Sequence, residues 1–261
     1  MDKETLSEYK TLEVITEVPK NEPQKFSNLL FNGMIHPLKD FTIKGFLWYQ
    51  GESNKDNPEE YAALFPAMIE QWRNQWGQEK LPFYFVQIAP FDYGSKNADF
   101  LREVQLKTMQ TLKNTGMVVT LDIGDCKYIH PFEKRIVGER LAYWALSKNY
   151  GFDGIAFSGP VYQKMETNSD GKINLHFSYS ENGLISFGKT LSGFEVSGHD
   201  KVFHTAIATV NRDGTVTVFS KMVQQPLAVR YAFESCLSAT LFNIEGLPAS
   251  SFRTDDWVEE N

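Results

Sequence analysis

The sequence predicts an α/β protein with a mainly parallel sheet, followed by a region rich in β-structure. Between residues 41 and 150, short apolar runs alternate with longer stretches of helical periodicity, a pattern typical of parallel sheets. After Gly151 the helical stretches stop and short strand-like runs follow one another, which indicates a small β-sandwich. We therefore expect an irregular lead-in over 1–25, an α/β domain over 26–150 and a β-rich domain over 151–261.

The α/β domain contains three predicted strands, each followed by a predicted helix. The strands cover residues 41–49, 83–88 and 117–122, and the helices cover residues 58–76, 100–112 and 133–150. Asn57 and Pro58 mark the start of the first helix, because asparagine caps helices and proline fits their first position. A doubly wound sheet usually has about five strands or more, so a sheet of three is expected to be incomplete.

The β-rich domain contains six predicted strands. They cover residues 155–158, 172–178, 194–197, 206–211, 215–220 and 228–233. Residues 211–214 read Asn-Arg-Asp-Gly, and Asp-Gly supplies the positive φ angles of a tight hairpin between two of these strands. Residues 253–257, Arg-Thr-Asp-Asp-Trp, are expected to attach the tail to the body of the protein through charge pairs.

Composition excludes several classes of protein. The chain has 261 residues, of which 42% are hydrophobic, and a formal net charge of −7. This length supports a substantial core, and the acidic balance lacks the basic stripe of a nucleic-acid binder. No run of roughly 18 apolar residues predicts a transmembrane helix, and the charged start does not resemble a signal peptide. We expect no cofactor, no metal, no nucleic-acid partner and no membrane partner.

The two cysteines, Cys126 and Cys236, have neither the spacing of a metal site nor that of a disulfide framework. They lie far apart in the sequence, so proximity along the chain does not suggest a pair. The favoured interpretation is a free buried thiol at each position, and a Cys126–Cys236 bond is the alternative.

Polar side chains follow the first predicted strand at its carboxyl end. Gln50, Glu52, Ser53 and Asn54 stand directly after the apolar run. Ligands of open parallel sheets bind at this edge, so these residues form a candidate functional loop. The alternative is a plain strand-to-helix turn that is capped by Ser53 or Asn54.

A second polar segment follows the third predicted strand. It contains Asp122, Asp125 and His130. A histidine in such a loop can act as a general base near neutral pH, and either aspartate lies close enough in sequence to orient its imidazole. A lone histidine is more often structural, but the neighbouring acids and the strand-end position favour a functional role.

The first polar loop lies in a segment that resembles a family signature. Residues 45–54 read Gly-Phe-Leu-Trp-Tyr-Gln-Gly-Glu-Ser-Asn and closely match the sialate O-acetylesterase family within the SGNH hydrolases. Residues 129–131, Ile-His-Pro, match a second motif of that family. Other matching segments are 32–38, 101–105, 134–142, 229–233 and 241–255. The resemblance implies the C-terminal part of an SGNH-type, flavodoxin-like three-layer sandwich with a mainly parallel sheet, followed by a small β-rich domain.

The resemblance also implies roles for individual residues. The family's esterase uses a serine, activated by a histidine, to attack an acetyl ester on sialic acid. His130 matches the histidine that serves as general base, and Gln50 matches a position that stabilises the oxyanion, a contribution of about 3 kcal/mol. Glu52 would support the loop, and Asp125 would accompany the histidine. The implied substrate-binding positions are Asn32, Gly33, Gly51, Asn54 and Gln105.

Two features depart from the family pattern. The family's nucleophile lies in a Gly-Gln-Ser-Asn-Met motif, which the 261 residues do not contain. Many SGNH enzymes have an aspartate three residues before the histidine, where this chain has Lys127, so Asp125, Asp122 or a backbone carbonyl would have to orient the imidazole. Ser53 is a minor candidate nucleophile, because too few residues separate it from His130 to contain most of a doubly wound domain. We therefore expect the serine to come from a preceding segment or a second chain.

Three functions remain open. The first is a carbohydrate-ester hydrolase resembling a sialate 9-O-acetylesterase, inactive as this chain alone. Its partners would be O-acetylated sialic acid or another acetylated carbohydrate, and the N-terminal half of the same enzyme. The second is a non-catalytic, truncated relative that acts as a carbohydrate-binding or structural module, and the third is a fragment that does not fold stably. Family membership would place the protein outside the cell or in the periplasm.

Overall fold

The computed structural model describes residues 28–94 and 98–257, which form an α/β part followed by a β-rich part. The predicted lead-in over residues 1–25 lies outside the described residues. None of the helices in the described residues is both long and apolar enough to cross a membrane.

The α/β part is built on a sheet of three parallel strands. The strands are β1 (Phe46–Trp48), β2 (Phe83–Val86) and β3 (Thr115–Val118), in the spatial order β1-β2-β3. The helices that follow them in turn are α1 (Pro58–Gln75), α2 (Ala98–Thr111) and α3 (Lys134–Asn149). The predicted alternation of parallel strands and helices is therefore confirmed.

The strands are shorter than predicted because pairing limits them. β1 begins at Phe46, which faces Phe83, the first residue of β2. Residues 41–45 therefore lie before the paired stretch. Gly45 comes so close to the neighbouring chain that an added Cβ would lie 2.7 Å from the Pro82 carbonyl oxygen.

Helices cover both faces of the sheet, because successive residues of a strand point to opposite sides. Phe83 and Phe85 pack on the side of α1, where the Phe65 ring lies 5.0 Å from that of Phe85. Tyr84 and Val86 pack on the other side against α3, whose Trp144 lies in the same buried cluster. The sheet is thus the middle of three layers.

β1 contributes an aromatic cluster to the α1 side. The Trp48 and Trp72 rings meet edge to face at 5.6 Å, and the Phe46 ring lies 5.2 Å from Trp72 and 5.0 Å from Trp76. Leu47, on the opposite side of the strand, is 66% exposed. One side of β1 is therefore packed, and the other is open to solvent.

In the residues that the structure describes, the β-rich part contains ten strands. They are β4 (Val161–Thr167), β5 (Ile173–Ser178), β6 (Leu184–Ile185), β7 (Phe194–Ser197), β8 (His204–Thr205), β9 (Ile207–Val210), β10 (Val216–Phe219), β11 (Ala228–Tyr231), β12 (Phe242–Asn243) and β13 (Phe252–Arg253). They form two four-stranded antiparallel sheets, β4-β5-β10-β9 and β13-β11-β7-β8, and the pair β12-β6. Five of the six predicted strands are present, one of them (194–197) with the predicted ends and four with shifted ends, and the hairpin turn over 211–214 joins β9 to β10 as predicted.

The predicted strand over 155–158 is wrong. These residues form no strand, and Phe157 instead packs its ring 4.7 Å from Trp144 of α3 and 5.4 Å from Tyr179. The apolar side chains of this segment therefore fill space between α3 and the β-rich part. Burial of this kind gives the same sequence signal as a short buried strand.

A hydrophobic cluster and an ion pair join the two parts. The cluster includes Phe85 and Leu101 from the α/β part together with Val196 and Phe252 from the β-rich part. The Arg253 guanidinium donates two hydrogen bonds of 3.1 Å to the Glu103 carboxylate on α2. Charge pairs near the C-terminus are therefore confirmed, whereas the domain boundary at residue 150 stays a prediction.

The free-thiol interpretation of the cysteines is wrong. Cys126 and Cys236 form a disulfide whose Cα atoms lie 5.6 Å apart. The loop after β3 and the loop after β11 run beside each other, so residues separated by 110 positions meet. Nothing local in the sequence signals such a contact, because it depends on how the two parts pack.

Candidate active site

Three loops follow the carboxyl ends of the parallel strands and lie at one edge of the sheet. They cover residues 49–54 after β1, 87–94 after β2 and 119–130 after β3. This edge is where open parallel sheets bind ligands. The loops after β1 and β3 contain most of the residues that the sequence marks as functional.

The loop after β1 is fixed by one hydrogen bond within the loop and by two that side chains of neighbouring helices donate to its backbone. Gln50 donates from Nε2 to Oδ1 of Asn54 at 2.7 Å. The Gln50 carbonyl accepts from the Tyr61 hydroxyl at 3.4 Å and from Nε2 of Gln105 at 3.5 Å. An amide nitrogen carries two N–H groups, so the bond to Asn54 leaves Gln50 a second donor for a developing oxyanion.

Gly51 has room for no side chain. An added Cβ would lie 2.7 Å from Cγ2 of Ile88 and 3.1 Å from Nε2 of Gln105. Glycine at this position therefore allows the loop to press against α2 and the loop after β2. This close approach fixes the height of Gln50 and Glu52 above the sheet.

Gln105 is fully buried beneath this loop. Its Oε1 accepts a hydrogen bond of 2.9 Å from the Ile88 N–H, and its Nε2 lies 3.5 Å from the Val86 carbonyl oxygen. The amide thus joins α2 to the loops after β1 and β2. The structure gives Gln105 a supporting role, and direct contact with a substrate stays a prediction.

Three tyrosines lie near enough to Glu52 for its charge to raise their pKa. Burial raises the pKa of Tyr49 and of Tyr61 to about 12, and the Glu52 charge adds to both shifts. Burial, with the same charge, also raises the pKa of Tyr93. All three phenols are therefore neutral hydrogen-bond donors at neutral pH.

Lys134 brings the two polar loops together. It lies at the start of α3, four residues after His130, and its Nζ is 4.5 Å from the centre of the Tyr49 ring and 3.4 Å from the Tyr49 hydroxyl. A cation over an aromatic face is a stabilising contact. The segment that carries His130 therefore contacts the residue directly before Gln50.

His130 is exposed to solvent. Within the described residues its imidazole makes no hydrogen bond. Pro131 directly after it is buried, and the Tyr128 and Phe132 rings on either side lie 5.3 Å apart. Backbone packing rather than a hydrogen bond to the ring fixes the position of this histidine.

The two candidate acids have other partners. Asp122 forms a two-pronged ion pair with the buried Arg140, at 2.7 and 2.6 Å, and Arg140 also donates to the Val119 carbonyl at 2.8 Å. Asp125 accepts a hydrogen bond of 2.7 Å from the Lys127 N–H and so closes a turn. The structure brings neither carboxylate into contact with His130, and the role of Asp125 beside the histidine stays a prediction.

Among the remaining candidates, Asn32, Gly33 and Ser53 are exposed, whereas Asn54 is half-buried and accepts the hydrogen bond from Gln50. Asn32 and Gly33 lie in a short helical segment, Phe31–Ile35, that has no buried residue. Ser53 lies in the 3₁₀ turn Glu52–Asn54, and no hydrogen bond in the described residues joins it to His130. The substrate-binding roles of Asn32, Gly33 and Asn54 stay predictions.

Sequence reasoning missed several supporting residues, among them Tyr61, Tyr93 and Arg140. Tyr61 fits the apolar stripe of α1, so its bond to the loop carried no separate signal. Residues 28–94 and 98–257 contain no group of three or more histidine, cysteine or acidic side chains that could hold a metal ion.

Comparison with known proteins identifies the family. A family model described as carbohydrate esterase, sialic acid-specific acetylesterase, matches residues 15–146, half of the chain. The sialate O-acetylesterase of Mus musculus is 33% identical over 249 residues, which cover 84% of this chain and 44% of that protein. The sialate O-acetylesterase of Homo sapiens is 37% identical over 166 residues, which cover 55% of this chain and 31% of that protein.

A solved structure agrees with the fold. The crystal structure of a carbohydrate acetylesterase from Xanthomonas citri superposes with a TM-score of 0.85 at 40% identity and covers 91% of this chain and 56% of that chain. The chain spans less than half the length of the curated relatives that it matches. It belongs to the sialic acid-specific acetylesterase family of carbohydrate esterases.

Proposed function

We propose that this chain is part of a carbohydrate-ester hydrolase, similar to a sialate 9-O-acetylesterase, that removes O-acetyl groups by serine-type acyl transfer. His130 is the general base and Gln50 is a donor to the oxyanion. The observation that carries the proposal is the meeting of the loops after β1 and β3 through Tyr49 and Lys134. This contact brings the segment of the base towards the oxyanion donor.

The mechanism assigns one task to each group. A serine hydroxyl attacks the acetyl carbonyl while His130 takes the serine proton, and the carbonyl oxygen gains negative charge that the free N–H of Gln50 stabilises. His130 then gives the proton to the sugar oxygen as the ester bond breaks. In the second half, His130 takes a proton from the water that attacks the acetyl-serine, and it returns this proton to the serine oxygen as acetate leaves.

The serine comes from a segment outside these 261 residues. The chain lacks the Gly-Gln-Ser-Asn-Met motif, and its relatives contain considerably more chain than it matches. β1 supports this view, since it lies at the edge of its sheet and pairs only with β2 in the described residues. An additional strand can therefore join at that edge and complete an SGNH-type sheet.

The substrate is an O-acetylated sialic acid or another acetylated carbohydrate, and the protein acts outside the cell or in the periplasm. The names of the relatives support the substrate class. The Cys126–Cys236 disulfide supports the location, because such bonds persist mainly in oxidising compartments.

Hydrolysis of 9-O-acetyl sialic acid, followed by acetate release, tests the proposal. We expect this chain alone to show no turnover above background. Addition of an N-terminal half from a longer relative restores turnover, and His130→Ala abolishes it again. Robust turnover by this chain alone that is lost in Ser53→Ala would contradict the proposal.

A non-catalytic carbohydrate-binding module is the second candidate. The exposed imidazole of His130, without a hydrogen-bonded acid in the described residues, favours this alternative. A binding assay by calorimetry with acetylated and deacetylated sialosides separates the two. Binding without turnover in the completed enzyme would establish the module.

A further inference from the structure

The loop after β3 is attached to the β-rich part at two points. The attachment is made by residues 233–239, which follow β11 and are called the anchor segment here. The Ala239 N–H donates a hydrogen bond of 3.0 Å to the Leu121 carbonyl, and Cys236 forms the disulfide with Cys126. The loop is therefore held at its start and at Cys126, four residues before His130.

The loop after β2 is attached to the same anchor segment. The Phe91 N–H donates to the Ser235 carbonyl at 3.2 Å, and the Asp92 N–H donates to the Cys126 carbonyl at 3.0 Å. Two of the three loops at the carboxyl edge of the sheet thus share one support. The anchor segment that supports them belongs to the β-rich part and not to the parallel sheet whose edge the loops form.

Arg102 fixes the anchor segment from below. This side chain on α2 is fully buried and donates to the carbonyls of Glu234 and Ser235 and to the Ser251 hydroxyl. Burial lowers the pKa of Arg102 to about 10, while the nearby Asp99 charge acts in the opposite direction. A charged donor in such a place fixes its acceptors firmly, because charge-assisted hydrogen bonds are strong.

We propose that the anchor segment is a positioning element of the candidate active site and that the Cys126–Cys236 disulfide transmits its hold to His130. The imidazole makes no hydrogen bond within the described residues, so the ring's location follows that of its backbone. The backbone is fixed at Leu121, at Cys126 and, beyond the histidine, at the buried Pro131. Loss of the disulfide at Cys126, the middle of these three points, would allow the backbone that carries the His130 imidazole to move.

The proposal rests on the proposed function for the role of His130 as general base. Its test, however, does not depend on measuring catalytic activity. The double variant Cys126→Ser, Cys236→Ser is compared with the parent chain by hydrogen exchange and by NMR of the histidine side chains. We expect amide exchange over residues 122–130 to accelerate by about tenfold or more, since local opening becomes easier. We also expect the resonances of the His130 side chain to change, while those of His176 and His204 stay in place.

A matched control variant distinguishes local opening of residues 122–130 from a general loss of stability. Val218→Ala removes buried methyl groups from β10 and lowers stability without touching the anchor segment. It should leave the His130 resonances unchanged. The proposal fails if the double variant leaves His130 unaltered, or if exchange over residues 122–130 rises no more than exchange in α1.

Reduction of the folded parent chain provides a second route if the double variant does not fold. Dithiothreitol breaks the S–S bond, is itself oxidised to its cyclic disulfide, and leaves two thiols. Cys126 is exposed and Cys236 half-buried, so the bond is accessible. The same His130 change must appear on reduction, and its absence overturns the proposal. A completed enzyme that keeps its turnover in His130→Ala would instead overturn the proposed function alone.

Discussion

At the scale of single residues, the candidate site depends on very close packing beneath the loop after β1. Gly51 lies against Ile88 and Gln105, so the loop rests directly on α2 and the loop after β2. The bonds from Tyr61 and Gln105 to the Gln50 carbonyl then fix the direction of the chain. The position of the proposed oxyanion donor is thus set by neighbours that need not touch a substrate.

Replacement of Gly51 by alanine tests this packing. An added methyl group would overlap Cγ2 of Ile88, so we expect Gly51→Ala to lower the free energy of unfolding by about 1–3 kcal/mol. Urea unfolding followed by fluorescence measures the change. Gly138→Ala is the matched control: nothing lies within 4 Å of its added Cβ, and alanine in a helix should stabilise by about 0.5–1 kcal/mol. Equal effects at the two positions would refute the close-packing argument.

The Gln50 loop could be predicted from its sequence, but its supports could not. A cluster of polar residues after a strand marks a loop at the binding edge of a sheet, and this signal is local. The contacts of Gln105, the ion pair of Asp122 with Arg140 and the disulfide join residues far apart in the sequence. Such contacts depend on packing, which a single sequence does not display.

At the scale of elements, β1 has one unpaired edge in the described part of the chain, and one of its sides is not covered by a helix there. α3 packs against β2 and β3, which leaves Leu47 exposed to solvent. Unpaired strand edges and exposed apolar side chains promote association between copies. β1 is therefore the element whose surroundings differ most from those of an ordinary buried parallel strand.

A charge at Leu47 tests the consequence. We expect this chain to associate as its concentration rises and Leu47→Lys to weaken the association at least about tenfold, since lysine protects edge strands. Analytical ultracentrifugation over a range of concentrations measures it. Met222→Lys changes a side chain that is 73% exposed on a distant turn, and it should leave the association unchanged. If the Leu47→Lys and Met222→Lys variants associate equally, β1 does not form the contact between copies of the chain.

Elements were predictable where one local pattern determined them. The helices α1 and α3 carry apolar residues at helical spacing, and both appear within a residue or two of the predicted ends. β4 was missed because most of its side chains are exposed or half-buried and no apolar alternation marks it. Residues 155–158 were misread because packing against Trp144 produces the same apolar run as a strand.

At the scale of the whole molecule, buried phenols link stability to pH. Burial is the largest cause of the raised pKa of Tyr61, which moves from 10.0 to about 12, and burial also raises the pKa of Tyr84, Tyr162 and Tyr231. The unfolded chain would lose these protons near pH 10, while the folded protein keeps them. The stabilisation that these buried phenols contribute is therefore complete below pH 10, and it is lost as the pH rises towards 12.

Urea unfolding at pH 9 and at pH 11 checks this behaviour. We expect the free energy of unfolding to be lower at pH 11 and the difference to shrink in Tyr61→Phe, which removes one of the contributing protons. Tyr128→Phe is the control, because that ring is 55% exposed. An identical pH difference in the parent chain and in Tyr61→Phe would contradict the expectation.

The aromatic cluster beside β1 has an optical consequence. The indole rings of Trp48 and Trp72 lie 5.6 Å apart and nearly perpendicular, so coupling of their electronic transitions should contribute to the near-ultraviolet circular dichroism of the chain. Trp48 belongs to β1 and Trp72 to α1, and a small shift between strand and helix changes the coupling. The near-ultraviolet circular dichroism of the protein should therefore report structural changes at the edge of its sheet without an added label.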